Sequence, residues 1–500
     1  GCEEFRIPEG IFYFVSLMYI TLQRAKTARE AVEIMTSLVE EYGYYSSGES
    51  FSIGDPDEVW IMDMIGKGPD EKGALWVARR VPDGYISGHA NAARIRQFPL
   101  NEPKTTLYAP EVISFAREKG WFDGEDEEFS FAATYDPDTF GNRRFCDARV
   151  WCMYERAAPS GDHGEEWVLG NPEADPVPLW IQPEEKLSVA DVMDFMRDHF
   201  EETALDMTKD VGAGPYGLPY RWRPLTWEVE GKEYFNERAV STQQTGFSFV
   251  AQMRSWLPDP IGGILWFGVD DTYSTVYFPA YAGVTGVPEA YAEGTGSYHE
   301  VTFDAAFCVF NQVANFAYLR YQDMIGDIQL VQQKLEGRFL GEVPEVDAAA
   351  AKLYERSPRL AKDYLTRYSK QAGNGVVDRW RELYKELLYK YMDGNVKNEF
   401  GEPEFKGYPE EWYRMVAEAT GEKLAMKKTP TEVAMEREAE AEARKLAESV
   451  LTILEARGVA VGSELRSRVL GNSDPEELRE WLLAAATGEP VSDMMDAGGE

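Results

Sequence analysis

Cysteine is scarce. Four residues in 500, Cys2, Cys146, Cys152 and Cys308, do not make a disulfide framework. Cys146 and Cys152 have no matching pair elsewhere, which argues against a zinc site and leaves buried or free thiols as the expectation. Histidine is equally sparse, with only His89, His163, His199 and His299. Basic residues are outnumbered 51 to 87, the net charge is −36, and no basic stripe interrupts the acidity. Nucleic acid and anionic membrane are therefore disfavoured as partners. Long hydrophobic runs are absent too. Residues 11–20 are apolar but fall short of the ~20 needed to span a bilayer, and they lack the basic leader and cleavage site of a signal peptide. With no phosphate loop, dinucleotide fingerprint or cluster of metal-ligating residues, no cofactor and no metal are expected.

What is present is globular. Trp 13, Tyr 27 and Phe 25 give ample material for a core. The length exceeds the roughly 250–300 residues at which single cores stop growing, so one large domain with an appendage is expected. Residues 11–42 read as one long helix, with Ala31, Ile34, Met35, Leu38, Val39 and Tyr42 on one face, stopped by Gly43. Strand-like runs follow at 50–54, 59–65, 74–81 and 84–95, separated by turn residues. Residues 111–119 and 189–200 look helical, and 160–184 reads as a surface loop. Further strands are expected at 245–253, 262–269 and 274–280, then helices at 305–325 and 347–388. Helix followed by a meander of strands predicts an α+β fold. From 428 onward the texture changes to a charged Ala/Glu-rich helix (431–457) and two shorter ones (463–470 and 474–486). The expected division is 1–427 and 428–500.

Several blocks carry a resemblance. Residues 17–66, WVARRVPDGYISGHANAARI (76–95), RFCDARVW (144–151), MDFMRDHFE (193–201), GPYGLPYRWRPLTW (214–227) and TGFSFVAQMRSWLPDPIGGILWFGVDDTYSTVYFPAY (245–281) strongly resemble the bacterial dipeptidase A family. The likeness runs from about residue 17 to 425. It implies an N-terminal-nucleophile hydrolase related to penicillin V acylase and bile-salt hydrolase, with two stacked antiparallel sheets between helical layers (α/β/β/α). Residues 447–496 separately resemble a small helical module found at the ends of unrelated bacterial proteins.

The resemblance implies a dipeptidase. Its nucleophile would be the thiol of a cysteine at the chain's own N-terminus, with the α-amine as base, titrating near ~7.7–8.0. Cys2 is a weak match, because residues 3–10 contain Pro8 and Gly10 and no strand alternation. The cysteine and the first strands are therefore expected upstream of Gly1, so that this chain is an incomplete sandwich without its nucleophile. Asn91 best matches the amide that stabilises an oxyanion in the acylase relatives, with His89 lining the pocket. Arg221 and Arg223 follow Gly217-Leu218-Pro219, where the relatives place an arginine that could orient the nucleophile or bind a carboxylate. Asp270 and Asp271 are candidates for the substrate's free amine. Asp147, between Arg144 and Arg149, reads as a structural ion pair. Small peptides are the expected partners, and self-association and compartment are left open. An acylase acting on non-peptide amides, and an inactive fragment serving as a binding module, are the alternatives.

Overall fold

The N-terminal helical stretch is two helices, α1 (Phe14–Arg24) and α2 (Ala28–Tyr42), rather than one. The break is local chemistry. Thr27 accepts a hydrogen bond from the Glu30 N–H at 3.2 Å, and the Glu30 carboxylate accepts one from the Lys26 N–H at 2.8 Å. That restarts the helix as a Thr-x-x-Glu cap. Gly43, at φ 84°, ends α2 as expected. The computed structural model describes residues 12–69, 71–297 and 299–488, so Cys2 lies outside the described residues. It divides into two units, Gly1–Pro409 and Glu410–Glu500.

The first unit is mixed helix and sheet, in keeping with an α+β class. Strands β1 (Gly48–Gly54), β2 (Val59–Gly66) and β3 (Ala74–Arg80) form an antiparallel meander. The next strand, β4 (Ile86–Ser87), lies outside it, and β5 (Thr106–Tyr108) completes the sheet in the order β1-β2-β3-β5. On β2, Trp60, Met62 and Met64 pack with Leu17, Val32 and Met35 of the two helices. Ile61 and Ile65 face the other way, against Val112 and Phe115 of α3 (Val112–Glu118). Both faces are covered, which explains the nearly unbroken apolar run.

Residues 84–95 were expected as a strand, yet only Ile86 and Ser87 pair, with β6 (Trp180–Ile181) beyond the helices α4 (Phe131–Tyr135), α5 (Ala148–Ala157) and α6 (Glu165–Val168). The rest of the segment hangs its N–H groups on carboxylates instead of on a neighbouring strand. Asp63, buried in mid-β2, accepts from Arg94 N at 2.7 Å and Ile95 N at 2.8 Å, and Asp136 accepts from Ala93 N at 2.8 Å. Residues 160–184 are not merely a surface loop, because Trp167, Val168 and Val177 are buried.

After α7 (Val189–Phe195) and the hairpin β7 (Thr226–Val229)–β8 (Lys232–Phe235) comes a second antiparallel sheet. It consists of β9 (Phe247–Met253), then α8 (Asp259–Gly262), β10 (Gly263–Val269) and β11 (Phe278–Tyr281), in the order β11-β10-β9. Val250, Ile264, Trp266 and Tyr281 share one core with α9 (Ala306–Ala317), α10 (Tyr321–Arg356) and α11 (Pro358–Tyr391). Phe247, Phe249, Met253 and Leu265, which share the opposite sheet face by register, are exposed. The expected gap between helices at 326–346 does not exist. Gly337, Gly341 and Pro344 weaken the pattern there, but burial of Ile328, Phe339 and Val343 overrides propensity. A two-residue ladder, β12 (Val396–Lys397) with β13 (Pro403–Glu404), closes the unit.

The second unit contains α12 (Glu410–Thr420), α13 (Pro430–Ala456), α14 (Ser463–Gly471) and α15 (Pro475–Thr487). Thr429 and Glu432 cap α13 reciprocally, with Pro430 at its first position. Ala447, Val450, Leu451 and Leu454 bury against Val469, Leu478 and Trp481. No helix among the described residues is long and apolar enough to cross a membrane.

Candidate active site

Asn91 sits in the carboxylate-anchored loop after β4, and its side-chain oxygen accepts a hydrogen bond from Arg149 Nη2 at 2.9 Å. A guanidinium can only donate, so the carbonyl end of the amide must face Arg149 and the NH2 end is left outward. The Asn91 backbone N–H meets the Cys146 thiol. Arg149 is fixed from behind, donating from Nε to the Phe145 carbonyl at 2.8 Å. Both Phe145 and Cys146 lie on a π-helical turn, Asn142–Asp147, that runs into α5. Such a turn changes the direction in which the next side chains point.

The other wall is built by residues 219–225 and by the chain leaving β8. Arg223, Arg238, Gln243 and Gln244 line a small cavity of about 20 Å3. Arg223 donates from Nε to Gln244 Oε1 at 2.5 Å. Glu237 also borders this space, but Arg144 takes it bidentately, at 3.0 and 2.7 Å to Oε1. Arg149, Arg223 and Arg238 have no carboxylate within ion-pair distance among the described residues. Burial and then the Arg238 and Arg223 charges push the Arg149 guanidinium down to about 10, and burial and Arg223 likewise lower Arg238. His89 lies beside Asn91 and meets Ser52 Oγ through Nε2 at 3.0 Å. Desolvation, followed by the Arg94 and Arg149 charges, pushes it down to about 4, so it is neutral at pH 7.

Of the remaining sequence candidates Arg221 also borders the small cavity, and Asp270 and Asp271 do not. Arg221 is buried and fully engaged. It donates to Asp210 Oδ1 at 2.7 Å and to the carbonyls of Leu218, Tyr220 and Met207. Of the two candidate arginines, only Arg223 keeps terminal nitrogens open. Asp271 is 1 % exposed and saturated by Tyr220 and Tyr318 hydroxyls, the Tyr273 N–H and Ser241 Oγ. Asp270 accepts from Asn311 Nδ2 at 2.9 Å, while its second oxygen is buried without a partner. Burial pushes its carboxyl up to about 7, with the Asp271 charge adding to the effect against the Asn311 bond. Asp147 does not pair with Arg144 or Arg149. It accepts from Trp167 Nε1 at 2.9 Å and stands 3.9 Å from Arg94, because Arg144 is drawn to Glu237.

Arg149 and Arg238 were missed by sequence reasoning. The available signal was local charge. RFCDARVW and the Arg143 before it carry three arginines against one aspartate, in a strongly acidic chain. A larger cavity of about 840 Å3, between the β1–β2 turn, α7 and β9, contains none of the candidates and no thiol.

Residues 6–334 match the profile of peptidase family C69. The chain belongs to this family. Among its relatives are a probable dipeptidase of Latilactobacillus sakei, 24 % identical over 278 residues (56 % of this chain, 52 % of that protein). A probable dipeptidase of Salmonella dublin is 26 % identical over 267 residues (53 % of this chain, 54 % of that protein). A dipeptidase of Bifidobacterium longum is 26 % identical over 352 residues (65 % and 59 %). The C69 chain spans about half the length of the curated relatives it matches.

Proposed function

We propose that this C69 protein is a cysteine-type dipeptidase built on an N-terminal-nucleophile sandwich, its nucleophile being a cysteine that precedes Gly1. The observation that carries the reading is family membership over residues 6–334, together with relatives named dipeptidases. Three features support it. The described thiols nearest the donors are unsuited to attack. Burial raises the Cys146 thiol, and burial plus the Asp198 charge raises Cys152 further, so neither is a thiolate at neutral pH. Asn91 presents an amide NH2 held in place by Arg149. The exposed apolar face of β9 and β10 suits a sheet that stacks on further strands.

The thiol of the terminal cysteine gives its proton to the α-amine and attacks the peptide carbonyl. The oxyanion forms against the Asn91 amide, the C–N bond breaks, and the α-ammonium protonates the leaving amine. Water then cleaves the thioester, releasing the carboxylic acid and regenerating the thiol. This chain by itself is expected to bind and not to turn over.

The test is to incubate the full-length gene product with a panel of dipeptides and of penicillin- or bile-type acyl amides, after determining its mature N-terminal residue. Dipeptide turnover by a protein beginning with cysteine is expected. Turnover of acyl amides alone would replace the reading with an acylase. Absence of any upstream cysteine, with no turnover, would leave a binding protein.

A further inference from the structure

Three arginines that lie near one another have no carboxylate partner among the described residues. In a protein of net charge −36, many buried and half-buried arginines find a carboxylate: Arg144 has Glu237, Arg197 has Glu336, Arg221 has Asp210, Arg254 has Asp347 and Arg320 has Asp323, while others stand singly on carbonyls or an aromatic face, as Arg29 and Arg79 do. Arg149, Arg223 and Arg238 have none among the described residues. They are near enough that Arg238 and Arg223 depress the proton affinity of Arg149, and Arg223 that of Arg238, a repulsion that the chain sustains although acidic residues outnumber basic ones 87 to 51. Neutral groups hold them instead. Asn91 and the Phe145 carbonyl restrain Arg149, and Gln244 restrains Arg223. Side-chain amides and carbonyls fix a guanidinium's direction without cancelling its charge.

We infer that Arg149, Arg223 and Arg238 form a receptor for the free carboxylate of a short peptide, placed beside the Asn91 amide. The inference rests on the dipeptidase reading and specifies which end of the substrate is read. The cavity that Arg223 and Arg238 line is only about 20 Å3, too small for a side chain, so a ligand presents no more than a terminal group at its mouth. A carboxylate accepts from guanidinium forks in a bidentate manner, and its charge relieves the repulsion among three cations. A receptor for the terminal carboxylate next to an oxyanion donor places the scissile carbonyl within one residue of the chain end. It thereby restricts the enzyme to very short peptides. A protein-sized substrate has no carboxylate at that distance.

The test uses calorimetric titration of the full chain with Ala-Phe, with Ala-Phe amide and with inorganic phosphate. Ala-Phe is expected to bind, and amidation to weaken binding by about tenfold or more. R149Q and R238Q should each weaken Ala-Phe by about tenfold and leave the amide unchanged, while R238K, which keeps the charge, recovers part of the loss. Circular dichroism melts of each variant establish that it is folded. Equal binding of acid and amide, no binding of Ala-Phe, or unaltered affinity in both variants overturns the receptor. Phosphate competing as well as Ala-Phe also overturns it in favour of a general anion site. The two readings separate in the full-length protein. Equal kcat/KM on dipeptides and their amides removes the receptor and keeps the dipeptidase. Arginine-dependent binding with every dipeptide left intact does the reverse.

Discussion

Around Asp271, four hydroxyl or N–H groups from Tyr220, Tyr318, Ser241 and Tyr273 converge on one buried carboxylate. Around Arg238, Arg223 lines the same small space and Arg149 is a near neighbour, and the one carboxylate on its border, Glu237, is taken by Arg144. The two regions are joined through residues 220–223, since Tyr220 serves the first and Arg223 the second. Saturated charge ties elements together and has nothing left to offer a ligand. Unsaturated charge contributes little to folding and is available for binding. The sequence candidates fall on both sides of this divide, with Asp271 and Arg221 in the saturated class and Asn91 and Arg223 in the open one.

The sharpest way to break the comparison is Asp271→Ala. It leaves the Tyr220 and Tyr318 hydroxyls and the Tyr273 N–H buried without their acceptor, at about 1–3 kcal/mol each before relaxation, so a loss of about 3–5 kcal/mol is expected in urea unfolding. Unchanged stability would mean the network is not structural. Next in size is Asn91→Ala in the full-length protein, where loss of an oxyanion donor should lower kcat by about 10²–10³ with little change in the unfolding midpoint. A fall in KM alone would remove Asn91 from that role.

Asp270 tests the saturated region from within. Its folded pKa, about 7, lies above the unfolded value, so the folded state holds the proton more tightly between about pH 4 and pH 7. The stability this group contributes is present at the acid end and is lost as pH rises through 7. Asp270→Asn keeps the acceptor for Asn311 and removes the charge. It should flatten that decline and stabilise the protein at pH 8 by something on the order of 2 kcal/mol, read from melts across pH. The smallest effect belongs to the arginines. Arg149→Gln with Arg238→Gln should leave unfolding within about 0.5 kcal/mol of the parent, or slightly above it, because like-charge repulsion is removed. A large destabilisation would place these residues in the structural class after all.

Much of the first sheet was legible because its strands alternate or run apolar between turn residues, as in 59–65 and 74–81. The C-terminal helices were legible for a similar reason, their caps being written locally in Thr429, Pro430 and Glu432. The helical span through Gly337 and Pro344 was not, since only packing against the second sheet outweighs those residues. In the site, Asn91 and Arg223 could be picked out by resemblance. Arg149 and Arg238 could not, because being unpaired is a property of three-dimensional neighbours. Asp147 shows the same limit. It lies in sequence between two arginines and pairs with neither.

The sequence by itself determined the family, the α+β class and the periodic elements, because these follow from side-chain order along the chain and need only short-range physics. Which charges are cancelled was decided by the tertiary structure alone. Ion pairing depends on distances of a few ångströms between segments as remote as Asn91, Arg149 and Arg238, and only folding sets those distances.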